Sequence, residues 1–232
     1  MLDQLKTSED IQDEVDSLGS FILDSNLYDF AVDMVYLDQS KGGAISSNWI
    51  FKDAEGKTLR QQLWMTSGQA KGCLNYYVDK NDKKQYLPGF LQANGICQLS
   101  IGKEISELAT DKKVVQVYDF ELRKEVPTEK EVLTELIGAP ITLGIIKQIV
   151  DKNVKNDDGE YVPSGDTREE NVIDKVFRTK DGLTMAEIKA GVTEAEFKQK
   201  WADKNIGTVR NRAKGAKSGG AGGTNTESLF KN

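Results

Sequence analysis

The sequence predicts a mainly β protein with inserted helices, of the α+β class, built on an OB-fold-like five-stranded Greek-key barrel. Three observations predict it. Alternating runs joined by glycine-containing turns come first, one helical stripe interrupts them, and β-branched runs follow. A generic β-sandwich is the rival architecture for the same order of elements.

The elements follow in order. "SEDIQDEVDSLGSFI" opens with a serine and early acids, places Ile11, Val15 and Leu18 on one stripe, and stops near Gly19; it predicts a short amphipathic helix. "YDFAVDMVYLD" carries Phe30, Val32, Met34 and Tyr36 in period-2 register, which predicts a strand. "AISSNWIFKD" and "KTLRQQLWMT", separated by the turn at Ala54 to Gly56, predict a hairpin. "CLNYYVD" and "KQYLPG" flank the polar turn "KNDK" as a second hairpin or flap. Pro88 then sits at a first-turn position before Phe90, Leu91, Ala93 and Cys97, a helical stripe.

"KKVVQVYDFE" reads as extended. "TEKEVLTELIG" predicts a short helix, opened by Thr128 with Glu131 three residues on and closed by Gly138. "APITLGIIKQIVDKNV" and "ENVIDKVFRT" predict strands around a loop, and "TMAEIKAGVTEAEFKQKWADKN" a final helix or helix pair around Gly191. From Gly207 the chain turns rich in glycine and small polar residues and predicts a flexible tail. The resulting division is an N-terminal acidic amphipathic helix at 1–22, an OB-fold-like binding domain at 23–180, a C-terminal helical segment at 181–206, and a flexible basic Gly-rich tail at 207–232.

Composition narrows the chemistry. The 232 residues, 38% hydrophobic and 29% charged, describe an ordinary globular chain with no run of the ~20 apolar residues a membrane span needs. The N-terminus lacks the pattern of a secretory signal, and two cysteines do not make a disulfide framework; a reduced cytoplasmic setting is expected. No histidine is present, which removes Ser-His-Asp and Cys-His nucleophiles and His-ligated zinc. Catalysis would have to rest on carboxylates, lysine or a carboxylate-held metal. The acids Asp166, Glu169, Glu170 and Asp174 read as a solvated strand face, so neither a catalytic group, a metal site nor a cofactor is expected. The net charge of -6 is uneven: from Asn205 onward there are five Lys/Arg and one Glu.

Binding chemistry concentrates in "RQQLWMTSGQAKGCLNYYVDKNDKKQYLPGFLQANGIC", Arg60 to Cys97. Alternation along Lys57 to Thr66 turns Leu59, Leu63 and Met65 one way, interrupted by Gln61, and Arg60, Gln62 and Trp64 the other. A tryptophan on a polar, partly cationic face suits a base-stacking platform; cover by a loop or the N-terminal helix is the alternative. Trp49 and Phe51 share a face with Ile45 and fit either a ligand contact or the core. Tyr76, Tyr77 and Tyr86 surround a turn rich in lysines, Lys84 among them, the composition of an electrostatic groove with stacking surfaces. Lys71, in a loop that lacks the Walker ending, is a further candidate for phosphate, as are Lys147 and Lys152 on the long strand and Arg210 and Arg212 in the tail.

"LDSNLYDFAVDMVYL", the stretch from Gln61 to Cys97, "KQIVDKNVKNDDGEYVPSGDTREENVIDKVF" and "GLTMAEIKAG" together resemble the single-stranded DNA-binding proteins that tailed phages encode. The resemblance runs from about Leu23 to Lys214. It implies an OB-fold that coats single-stranded DNA without catalysis during phage replication and recombination, in the cytoplasm of the bacterial host. Single-stranded DNA is the implied partner, with phage replication or recombination proteins and further copies of the chain as additional ones. Many single-stranded DNA-binding proteins end in an acidic tail with an aromatic tip; this chain departs from that, ending "TNTESLFKN" after a basic linker. The rival functions are a carboxylate-metal phage nuclease and a structural or scaffold phage protein.

Overall fold

The structure is a computed structural model that describes residues 22–119, 122, 124–156 and 161–214. The expected N-terminal helix and the part of the expected tail beyond 214 lie outside these residues. The fold is mainly β with a few helices, and most strands belong to one open antiparallel sheet.

Strand β1 (Asn26–Gln39) is its axis. Along one edge it pairs with β2 (Ile45–Lys52), which turns back into β3 (Thr58–Trp64). Along its other edge the first half of β1 pairs with a much later strand, β8 (Pro140–Lys155), and β8 pairs with β9 (Tyr161–Phe177). Between β3 and β8 the chain forms a small ribbon, β4 (Tyr76–Val78) with β5 (Lys84–Tyr86), then helix α1 (Pro88–Ile101). A hairpin follows, β6 (Asp111–Asp119) with β7 (Lys124–Val132), which joins β1 at Tyr36 and Leu37. Helices α2 (Met185–Lys189) and α3 (Phe197–Asn205) precede β10 (Val209–Asn211).

Three local readings are corrected. The alternation in β1 does not run unbroken: its register with β2 shifts between Val32 and Met34. The extra residue reverses the pleat, so Phe30 and Val32 point inward before the shift and Val35, fully buried, after it, while Met34 is only half-buried. The helix expected from Thr128 is strand β7 followed by a 3-10 turn at Thr134–Leu136. Pairing with β6 along its whole length overrides the helix-start signal, which three residues can mimic. The tail does not begin at Gly207, since Val209–Asn211 add to β8 as a parallel strand.

The main core lies between the sheet and α1. Phe30, Trp49, Phe51, Leu63, Leu143 and Ile145 meet Ala93, Ile96 and Cys97 from the helix. The other side of β8 holds a smaller cluster of Ile146, Phe177 and Trp201. A strand covered on both faces carries buried residues in succession, which accounts for the unbroken buried run in "ITLGII". Gly144 makes the second layer fit, because a Cβ there would lie 2.8 Å from the Trp201 ring.

The sheet does not close on itself by backbone pairing. Among the described residues no ladder joins β3 to β9. Two glutamines span the gap: Gln61 Nε2 of β3 donates to the Asn171 carbonyl at 3.1 Å, and Gln92 Nε2 of α1 to the Ile173 carbonyl at 2.6 Å. The Asn171 amide also exchanges two hydrogen bonds with the backbone of Leu23, just before β1.

Candidate nucleic-acid interface

Pleat parity sorts β3. Leu59 and Leu63 enter the core, while Arg60, Gln62 and Trp64 face out, and Trp64 is 44% exposed. A tryptophan left this open on a polar face forgoes part of the burial its large ring could gain, which makes its exposure informative. Its backbone, by contrast, is held firmly. Gly89 in the first turn of α1 approaches so closely that a Cβ would lie 2.2 Å from the Trp64 carbonyl oxygen. The helix end thus seats the strand and leaves the indole projecting.

Trp64 borders a cleft of about 910 Å³. Gln61, Gln92 and Val172 line it at the gap between β3 and β9, and the loop carrying Lys71 lines it near Pro88 and Gly89. That loop is held against the β1–β2 turn, with the Gln69 amide donating to the Gly42 carbonyl and Gly68 approaching the same oxygen. The first turn of α1 has no side-chain cap and no acid, so nothing there repels a negative group at the cleft.

The β4–β5 ribbon continues from this rim. Tyr76 lies opposite Tyr86, and Lys84 Nζ stands 4.9 Å from the Tyr76 ring centre, a cation–π contact. Tyr77 and Tyr86 are exposed, and Tyr86 leans on Phe90 of α1 at 5.2 Å between ring centres. Asp79 organises the turn. Its Oδ1 accepts the amides of Lys83 and Asn81, bonds that hold its carboxyl below the usual range. Among the described residues no carboxylate pairs with Lys71, Lys80, Lys83 or Lys84, so these cations remain available to a ligand.

The other candidates lie elsewhere or are already engaged. Trp49 and Phe51 are buried core residues, 5.6 Å apart and nearly parallel, with the Trp49 indole donating to Ser47 Oγ; no ligand reaches them. Arg60 is exposed but paired to Glu125 at 2.9 Å. Lys147 is one-fifth exposed and paired to Glu169, and Arg210 is paired to Asp174, which also accepts from Trp201. These last two serve the packing of β8 and α3. Lys152 is exposed on the outer part of β8, and Arg212 is exposed just after β10, its amide donating to Ile149.

Of the expected contacts, Trp64 and Lys71 line the cleft and the ribbon carries Tyr76, Tyr77, Tyr86 and Lys84 beside it. Gln61 and Gln92 were not among the expected contacts. For Gln61 a signal was present in the sequence, since it breaks an otherwise apolar strand face. Among the described residues no three His, Cys, Asp or Glu side chains gather where they could hold a metal, and no helix is long and apolar enough to cross a membrane. No protein-family model matches the chain, and no curated protein matches it.

Proposed function

We propose that this protein binds single-stranded DNA without sequence-specific readout of a duplex, as a phage replication and recombination protein built on an OB-like barrel. The observation that carries the reading is Trp64. A solvent-exposed indole on a firmly held backbone borders a cleft that Lys71 also lines, and the β4–β5 ribbon that follows in the chain carries exposed tyrosines and lysines without a carboxylate partner. Stacking of bases on aromatic faces with lysines following the backbone is how strands are held without reading a duplex groove. The barrel reading draws support from a long β1 shared between β2 and β8, from a helix placed between the third and fourth long strands, and from the side-chain bonds that span the β3–β9 gap.

The test is a salt titration with single- and double-stranded oligonucleotides, read by the fluorescence anisotropy of a labelled oligonucleotide. Single strands bind more tightly, and the log–log slope falls by ~0.7 for each phosphate contacted. Trp64→Ala weakens binding by ~1–3 kcal/mol with the fold intact, and Trp64→Phe restores part of it. Equal affinity for duplex and single strand, or a Trp64→Ala variant that binds as the wild type does, overturns the proposal.

A further inference from the structure

The two glutamines at the β3–β9 gap have fixed orientations. The carbonyl oxygens of Asn171 and Ile173 can only accept hydrogen bonds, so the NH2 groups of Gln61 and Gln92 must face them. Each side-chain oxygen is thereby turned away from β9. Neither Gln61 Oε1 nor Gln92 Oε1 receives a donor from the described residues, and neither is sealed from solvent. Both residues line the cleft that Trp64 borders. The backbone carbonyls they grip are two residues apart on one strand edge, so the amides stand roughly 6–7 Å from each other along one wall.

An aromatic platform beside a wall of fixed acceptors favours one kind of flat ligand over another. From these positions we infer that the cleft selects cytosine and adenine, which carry an amine at the edge position where uracil and thymine carry a carbonyl, over uracil and thymine, with Gln61 and Gln92 as the specificity-determining residues. The inference rests on the reading that the cleft takes a base from single-stranded DNA. At the base edge, cytosine and adenine offer an amine donor where thymine and uracil offer a carbonyl acceptor. A carbonyl set against Gln61 Oε1 or Gln92 Oε1 leaves both oxygens unsatisfied as water is displaced. The glutamines cannot turn to adapt, since rotation would bring oxygen against oxygen at Asn171 or Ile173. Stacking on Trp64 is indifferent to this difference, so the preference is a modest one laid over general affinity.

The experiment compares oligo(dC) with oligo(dU) on the full chain, by the fluorescence anisotropy of labelled strands at one salt concentration. The wild type favours oligo(dC) by roughly three- to tenfold, the effect of one net hydrogen bond. Gln92→Met removes one acceptor: affinity for oligo(dC) falls by more than affinity for oligo(dU), so the dC-to-dU ratio drops. Equal wild-type affinity for the two strands overturns the inference and leaves the binding reading standing. A Gln92→Met variant that weakens both strands alike also overturns it, by showing that Gln92 acts only as a latch. Failure to bind either strand refutes the reading on which the inference rests.

Discussion

Cys73 and Cys97 are thiols in opposite environments. Cys73 is exposed on the loop beside the cleft, whereas Cys97 is fully enclosed on the inner face of α1, and burial pushes its thiol up to about 12. A thiol-specific reagent at neutral pH therefore modifies one cysteine per native chain, and the second only after denaturant is added. Rapid modification of two would show that α1 does not hold its place in the core. At this scale, pleat parity made the outward side of β3 legible in the sequence. The same rule could not separate Trp49 and Phe51 from a binding surface, because parity groups residues by face without saying which face is covered. Ser47 completes the buried set by accepting the Trp49 indole proton, a contact local pattern cannot announce.

The connection from α2 to α3 is governed by one carboxylate. Burial alone would raise the Glu187 carboxyl, but the amides of Phe197, Thr184 and Glu196 and the Thr184 hydroxyl hold it down at about 2, from an ordinary 4.5. Thr184 and Glu187 form a reciprocal cap on α2, and Glu187 Oε1 reaches across to the start of α3. A carboxyl whose pKa is lowered by folding stabilises the folded form above its unfolded pKa, and that contribution is lost as pH falls toward the folded value. Acidification between about 4.5 and about 2 should loosen α3 on β8. The acid-induced change in tryptophan fluorescence that Trp201→Phe abolishes reports it, and Glu187→Gln should flatten the response. An unaltered acid profile in that variant would remove Glu187 from the account. The paired Thr184 and Glu187 carry a signal of the same kind as Thr128 and Glu131, yet only the former opens a helix. What decided between them was β6, lying alongside 124–132 and taking up the backbone groups a helix would have kept.

Across the whole molecule, the order of elements was legible because hydrophobic period and turn residues mark each one locally. Their closure was not, because it depends on which distant edges meet. The last described strand illustrates this. Val209–Asn211 are too few and too polar to predict a strand, but β8 offers a free edge beyond its pairing with β1, and Arg210 finds Asp174 there. A chain ending at Ile206 should melt below one ending at Lys214, by about 2–4 °C for each kcal/mol that β10 and the Arg210 pair contribute. Equal melting temperatures would reduce β10 to an ornament of the sheet. If Lys71 and the ribbon lysines carry the phosphate contacts, the two truncations should differ little in the salt slope of binding.

The seam between β3 and β9 makes two partly exposed glutamines unusual in what they will tolerate. Surface positions ordinarily accept most replacements within about ±0.5 kcal/mol. At 61 and 92 a hydrocarbon loses the grip on β9, a carboxylate sets an acceptor against an acceptor, and asparagine is one methylene short of the distance spanned. In a saturation library selected for folding alone, both positions should therefore stay close to glutamine. A repertoire so narrow at positions lining the cleft would tie any drift in ligand preference to the integrity of the sheet, and a lineage could relax one only by rebuilding the other.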